Sequence, residues 1–203
     1  MECRFCDSPA LYRCGCCGAC LCSSHIRLRL VCHSCVKEHR IAYRLRRATA
    51  KDRDVIGNLV RVYWGESEQV MFGRTIRVEE QPAFVAGVHG DIAGFASYGE
   101  FEADEFVIVA LAVRPEYQNC GIGRALVSAI ERTAKKESKK RILVATSNDD
   151  LPALALYQLS GFQLFEVAPN AIAKKHGRLE KGIGNIPVRD ELRLQKSLVQ
   201  RKT

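Results

Sequence analysis

Val113-Arg114-Pro115-Glu116-Tyr117-Gln118-Asn119-Cys120-Gly121-Ile122-Gly123-Arg124-Ala125-Leu126-Val127 begins where eight apolar residues, Phe106 to Val113, end. Such a run without alternation is expected of a strand buried on both faces. Pro115 stops it and two glycines open the next element. Apolar positions 122, 126, 129, 130 and 134 then recur at helical spacing, so the stretch predicts a strand, a glycine loop and a helix. Gly121 and Gly123 permit close backbone approach. The free N–H groups and dipole of the helix start make an anion site suited to a pyrophosphate. The pattern is neither a dinucleotide fingerprint, which needs a further glycine, nor a P-loop, which needs Gly-Lys-Ser/Thr.

Downstream, Ile142 to Thr146 reads as another strand. Leu151 to Ser160 reads as a helix with Pro152 in its first turn and Gly161 as its stop. Upstream, Arg44 to Ala48 alternates weakly, and Thr49 or Asp52 caps a helix through Val55, Leu59, Val60 and Tyr63. A polar stretch follows. Ala83 to Val88 and Ile92 to Tyr98 are strands joined by His89-Gly90-Asp91, a hairpin signal, and with Phe106 to Val113 they form a meander. The tail from Lys181 through Glu191 to Leu194 predicts a last strand pairing back into the sheet. Its Gly182 and Gly184 precede no helix pattern and read as a turn.

The buried strand closing on V-x-P-x-Y-Q-x-x-G-x-G, followed by A-x-x-x-Y-x-x-x-G-F from Ala153 to Phe162, resembles the GNAT superfamily of acetyl-CoA-dependent N-acetyltransferases over residues 44 to 166. The resemblance implies an α/β (α+β) fold with a mixed, mainly antiparallel sheet flanked by helices. It implies that Leu111, Ala112 and Val113 bond the pantetheine arm and acetyl carbonyl, and that Gln118, Asn119, Cys120, Gly121, Ile122, Gly123 and Arg124 hold the pyrophosphate. The reaction implied is direct attack of a neutral amine on the thioester, with donors aimed at the acetyl oxygen. Tyr157 falls on the family's tyrosine position, where a phenol protonates the departing thiolate; the alternative is a core aromatic on an amphipathic helix. Where the family commonly has an asparagine, seven residues before that tyrosine, this chain has Asp150, with Asn148 two positions earlier, and either is a candidate for CoA contact. Glu105, before the buried strand, lies near where some members place a catalytic glutamate; others use water. The acidic stretch Gly99 to Glu105 either steers a cationic acceptor or is a solvated loop. Cys120 at a helix start is a conceivable nucleophile, but direct transfer needs no acyl-enzyme. Lys135, Lys136, Lys139, Lys140 and Arg141 read as a solvated helix end complementing its dipole.

Nine of the ten cysteines lie within the first 35 residues, together with His25 and His33, and His39 follows. A segment that short cannot build its own apolar core, so cross-links must hold it. The spacing Cys3-x2-Cys6, Cys14-x2-Cys17, Cys22-x2-His25 and Cys32-x2-Cys35 favours zinc over disulfides, because a two-residue spacer aims both side chains at one ion and histidine forms no disulfide. Four pairs suffice for two closed, structural Zn sites. The segment resembles the cross-braced and treble-clef fingers of the HIT and B-box kind. Those families imply Cys3, Cys6, Cys22 and His25 on one ion and Cys14, Cys17, Cys32 and Cys35 on the other. His33 or His39 is an alternative in the last pair, and Cys16 or Cys20 can displace Cys17 or Cys14. The domains expected are therefore 1–40, a zinc finger, and 41–203, the acetyltransferase.

With 203 residues, 47% hydrophobic and 27% charged, the chain is long enough for one full core plus a small domain. Its longest uncharged run, Leu151 to Phe165, has 15 residues interrupted by polar ones, too short to cross a bilayer. No secretory signal pattern opens the sequence, so an intracellular, cytoplasmic protein is expected. Of the net charge of +8, +6 lies in residues 1–47. That excess favours an acidic partner, although thiolates on zinc remove much of it. Three functions compete: an N-acetyltransferase whose finger recruits a protein or other amine acceptor, a non-catalytic acetyl-CoA-sensing scaffold, and a nucleic-acid-associated protein using Arg40, Arg44, Arg46 and Arg47.

Overall fold

The structure, a computed structural model, describes residues 2–9, 12–13, 19–21, 26–27, 31–32, 41–114, 117–183 and 186–199. The chain divides into two compact units, Met1–Ala42 and Tyr43–Thr203.

The first unit contains short antiparallel ribbons: β1 (Glu2–Cys3) with β2 (Cys6–Pro9), β3 (Tyr12–Arg13) with β4 (Cys20–Leu21), and β5 (Ile26–Arg27) with β6 (Val31–Cys32). Cys3 stands opposite Cys6 across the first turn, and the Arg4 N–H donates to the Cys20 carbonyl at 3.0 Å. Of the other expected ligands, Cys14, Cys17, Cys22, His25, Cys35 and His39 lie outside the described residues, as do Cys16 and His33, and Cys32 is described in its backbone alone. Among the described residues, no group of three or more histidine, cysteine or acidic side chains is placed to hold a metal.

The second unit runs β7 (Arg44–Arg47), α1 (Arg53–Trp64), β8 (Glu68–Met71), β9 (Arg74–Arg77), β10 (Ala83–Val88), β11 (Asp91–Glu102), β12 (Glu105–Val113), α2 (Ile122–Lys136), β13 (Arg141–Ser147), α3 (Leu151–Leu159), β14 (Gln163–Ala168), α4 (Ala171–His176), β15 (Glu180–Lys181), β16 (Pro187–Val188) and β17 (Glu191–Ser197). Seven strands form one sheet in the order β14-β17-β13-β12-β11-β10-β7. Only β12 and β13, joined through α2, are parallel. The sheet is thus mixed and mainly antiparallel, as expected from the resemblance. The tail strand β17 inserts between β13 and β14 rather than adding at an edge.

Helices cover both faces, which is why β11 and β12 carry apolar residues without alternation. On one face Ile56, Leu59 and Val60 of α1 pack with Val85, Phe95, Val107 and Val109 of the sheet. On the other, α2 buries Leu126, Val127 and Ile130. His89 and Gly90 take φ of 49° and 95°, the left-handed pair that a two-residue hairpin turn requires. The polar stretch after α1, in which the sequence showed no element, forms the β8–β9 hairpin; its register is set by the turn at Phe72 and Gly73, with φ of 51° and 72°. Among the described residues, no helix is long and apolar enough to cross a membrane.

The acidic stretch from Gly99 is not a loop. β11 runs to Glu102, and each acid meets a base: Glu100 with Lys139 at 2.5 Å, Glu102 with Arg74 at 2.5 Å, Asp104 with Lys140 at 2.7 Å and Glu105 with Arg141. Of the basic cluster at the end of α2, Lys139, Lys140 and Arg141 are accordingly matched with this turn rather than simply solvated, while Lys135 pairs with Glu131 inside the helix.

Entry into α1 is held by Asp52, whose carboxylate accepts from Arg46 at 2.7 and 2.8 Å, from the Thr49 N–H at 2.7 Å and from the Thr49 hydroxyl at 2.8 Å. The Arg46 guanidinium holds this carboxyl well below the usual carboxylate range; burial opposes the shift and Thr49 reinforces it. A group harder to protonate folded than unfolded stabilises above its unfolded pKa of about 3.9 and loses that contribution as pH falls. Asp52→Asn is expected to lower unfolding free energy at pH 7 by about 1–3 kcal/mol in urea titrations. Its deficit against the parent should shrink as pH is taken from about 5 towards about 2.

Candidate active site

The β12–β13 ladder is short. It pairs Glu105 with Arg141 and ends with Ile108 opposite Val144, after which β12 continues to Val113 and β13 to Ser147 with no rung between them. Each strand keeps its outer neighbour: Ala110 to Val113 stay paired with β11, and Ala145 to Ser147 with β17. The middle of the sheet is therefore forked, and the inner backbone edge of residues 109–113 has no strand partner. A cavity of about 220 Å³ fills the fork, lined by Val109, Ala110 and Leu111 on one prong and Ala145 and Thr146 on the other. Main-chain N–H and C=O groups in such a place require polar partners, so the fork is suited to an extended, amide-bearing ligand.

Leu111 faces the cavity, whereas Ala112 is buried. The Val113 carbonyl is already taken, accepting the Gln118 amide at 2.8 Å and the Tyr63 hydroxyl at 3.2 Å. Gln118 therefore braces the loop against the strand end with its side chain. Asn119 and Gly121 adopt φ of 65° and 86°, and Gly121 is the N-cap of α2. The first intrahelical bond runs from the Ala125 N–H to the Gly121 carbonyl at 3.0 Å, leaving the N–H groups of Ile122, Gly123 and Arg124 directed out of the helix start. The Cys120 thiol turns back on the Gln118 carbonyl at 3.5 Å. A Cβ on Gly123 would lie 3.2 Å from Leu156 of α3 and 3.9 Å from Leu111 of β12. Loop, fork and α3 thus converge at this glycine.

Tyr157 on α3 lines the cavity, is 5% exposed and packs on Phe162 with ring centroids 5.7 Å apart. Burial pushes its phenol up, and the Asp150 carboxylate adds to the shift, so the hydroxyl keeps its proton throughout the neutral range. Asp150 also lines the cavity and caps α3 by accepting the Ala153 N–H at 3.1 Å. Asn148 is committed elsewhere: its amide donates to the Pro187 carbonyl at 2.9 Å and accepts the Arg189 and Asp190 N–H groups, each at 2.8 Å. Next to it, Asp149 accepts the Ile183 N–H at 3.1 Å, and a Cβ on Gly182 would overlap its carboxylate at 2.0 Å. Glu105 is not brought to the fork. It lies at the opposite end of β12, bonded to Arg141 Nε at 2.8 Å, and six residues of strand, about 20 Å, separate it from Leu111.

Several lining residues carry no signal in the sequence. Trp64 ends α1, Gln69 and Met71 belong to the unforeseen hairpin, Lys175 and His176 to the short α4, and Glu191 opens β17. Gly94 shapes the fork from behind: a Cβ there would sit 2.8 Å from the Ala112 carbonyl oxygen and 3.2 Å from Val113 Cα. Only a residue without a side chain lets β11 lie so close to the free end of β12.

A model of the acetyltransferase (GNAT) family matches residues 49–162. The uncharacterized protein YdhI of Bacillus subtilis is 34% identical over 140 residues, 66% of this chain and 85% of YdhI. The [Ribosomal protein bS18]-alanine N-acetyltransferase of Escherichia coli is 28% identical over 100 residues, 49% of this chain and 67% of that enzyme. Among solved structures, a Bacillus subtilis acetyltransferase in complex with CoA superposes with a TM-score of 0.60 at 22% identity, over 78% of this chain and 100% of that one, a likeness of fold.

Gly94→Ala must displace the end of β12, because the obstructing atoms are backbone. The expected result is a loss of about 1–3 kcal/mol in stability and of about tenfold in affinity for coenzyme A by calorimetry. Gly87→Ala on β10, whose added Cβ would meet nothing closer than 3.7 Å, is the control and should leave both unchanged.

Proposed function

This chain belongs to the acetyltransferase (GNAT) family, and from that premise we propose that it binds acetyl-CoA in the β12–β13 fork and transfers the acetyl group directly to a primary amine. The observation that carries the reading is the unpaired inner edge of residues 109–113, facing a cavity that also holds Tyr157 and adjoins the α2 N-terminus at Gly123. The pantetheine arm takes the place of the missing strand along Leu111, and the N–H groups of residues 121–124 with Arg124 receive the pyrophosphate. Gln118 acts by bracing this loop, and Asn119 by turning it.

Catalysis follows from direct displacement. The amine lone pair attacks the thioester carbonyl, negative charge develops on the acetyl oxygen against β12 amides, and the departing sulfur takes the Tyr157 proton. Burial keeps that proton on the phenol at neutral pH, so it is present when the sulfur leaves. Glu105 takes no part, being paired with Arg141 at the far end of the strand, and Cys120 serves no nucleophilic step. The Escherichia coli relative is named for acetylating an alanine of a ribosomal protein; for this chain the extension made is a protein-borne amine as acceptor. The N-terminal unit is a zinc finger that docks the acceptor protein. The opposed Cys3 and Cys6 across a tight turn fit one half of a tetrahedral thiolate site, and such a metal would hold the fold without entering the reaction.

Tyr157→Phe keeps the ring packing and removes only the proton. The expected outcome is a kcat lowered by about a hundredfold with an unchanged melting temperature, while Cys120→Ala retains turnover; a fully active Tyr157→Phe would reduce this residue to a core aromatic. Elemental analysis of the purified chain should find about two zinc ions per molecule. Chelation should release them and abolish the structure of the first unit.

A further inference from the structure

Glu191 is 6% exposed and lines the fork cavity from the start of β17. Both of its hydrogen bonds reach Oε1: from Arg193 Nε at 2.6 Å and from the Phe72 N–H at 3.2 Å. Arg193 does not cancel the charge, since it also pairs with Glu166 at 2.9 Å; the two carboxylates and one guanidinium leave a net negative charge beside the cavity. The Phe72 bond fastens the β8–β9 turn, at its φ of 51°, to the same carboxylate. Oε1 is thus fixed by two donors while Oε2 receives none among the described residues. A carboxylate taken this far out of water gains from every N–H it can accept. In the same wall the Gln69 Nε2 atom is buried with no acceptor among the described residues. The Glu191 Oε2 atom is therefore an acceptor beside the cavity that the protein itself leaves unused.

We propose that Glu191 receives the acceptor amine: Oε2 accepts an N–H of the incoming nitrogen, holds it against the thioester and takes its proton as the bond forms. This rests on the fork being the acetyl-CoA site. The nitrogen lone pair makes the N–C bond, the C–S bond breaks with its electron pair on sulfur, Tyr157 protonates that sulfur, and the displaced amine proton goes to Glu191. Solvent then deprotonates Glu191 and reprotonates Tyr157, so the products are the amide and the free thiol. The other charged or titratable groups lining the cavity are Glu66, Asp150, Lys175 and His176. Lys175 is paired with Glu66, which leaves Asp150, whose Oδ1 caps α3, and His176 as the rival bases.

Glu191→Gln separates the roles, since the amide oxygen still accepts from Phe72 and Arg193 and only the charge and basicity go. The parent chain, Glu191→Gln, Glu191→Asp, Asp150→Asn and His176→Asn are compared with acetyl-CoA and ethylamine at about pH 8, alongside calorimetry with coenzyme A. The expected result is a drop in kcat/KM for ethylamine of about a hundredfold in Glu191→Gln, with coenzyme A affinity within about twofold of the parent, and partial recovery in Glu191→Asp. Undiminished transfer in Glu191→Gln, a matching loss of coenzyme A affinity, or an equal loss of transfer in Asp150→Asn or His176→Asn with coenzyme A affinity kept, would each overturn the assignment. A parent protein that binds no coenzyme A or forms no N-ethylacetamide would overturn the acetyl-transfer reading beneath it.

Discussion

The parting of β12 from β13 beyond Ile108 and Val144 is the constraint on which the rest of the second unit depends. A sheet buries its backbone by ladder pairing, and a ladder abandoned in the sheet's interior leaves N–H and C=O groups that must find other partners or pay a desolvation penalty. The surrounding elements make that arrangement tenable. β11 and β17 hold the outer edges of the two prongs, so each strand remains half paired. The α2 start closes one end of the opening, with Gly123 admitting Leu156, and α3 supplies a protonated phenol at its side. α1 and the β8–β9 hairpin complete the wall.

What was legible in the sequence was the part written in consecutive residues. The apolar run into Val113, the glycines at 121 and 123, Pro152 in a first turn and the stop at Gly161 are local signals, and the strand and the two helices they predict stand where the spacing put them. The meander and the fork's two strands follow from them. The β8–β9 hairpin was missed because its turn is Phe72-Gly73 rather than a familiar turn pair, and its four-residue strands, Glu68-Gln69-Val70-Met71 and Arg74-Thr75-Ile76-Arg77, show no alternation of polar with apolar residues. Glu105 was selected for its nearness in sequence to the buried strand. A strand is long, and proximity to its first residue is not proximity to its last. One carboxylate that does line the fork, Glu191, lies some 80 positions downstream of the strand it faces, a relation that only the insertion of β17 creates.

Charge is distributed in keeping with this geometry. At the end of the sheet away from the fork, each acid of the β11–β12 turn has a base, Lys139, Lys140 and Arg141 from the segment after α2 and Arg74 from β9. Exposed pairs of that kind add little stability, but they leave little field for a distant ligand to follow. At the fork the balance differs: Glu66, Asp150 and Glu191 face Lys175, with Arg193 divided between two carboxylates. The net negative character lies beside the cavity, where a cation is drawn in at short range, rather than being spread over the surface.

The turn at Gly182 is the counterpart of the loop at Gly121. Both place a glycine where backbone amides can converge on negative charge, but at Gly182 the space above the glycine is filled by Asp149, whose oxygen already receives the Ile183 amide. This second turn carries its own resident anion, supplied by the chain itself, and is closed to phosphates from outside. Two similar glycine spacings in one protein thus come to opposite ends: an aspartate fills the space above Gly182, whereas at Gly121 nothing lies nearer than the Tyr43 hydroxyl, 3.9 Å from where a Cβ would sit.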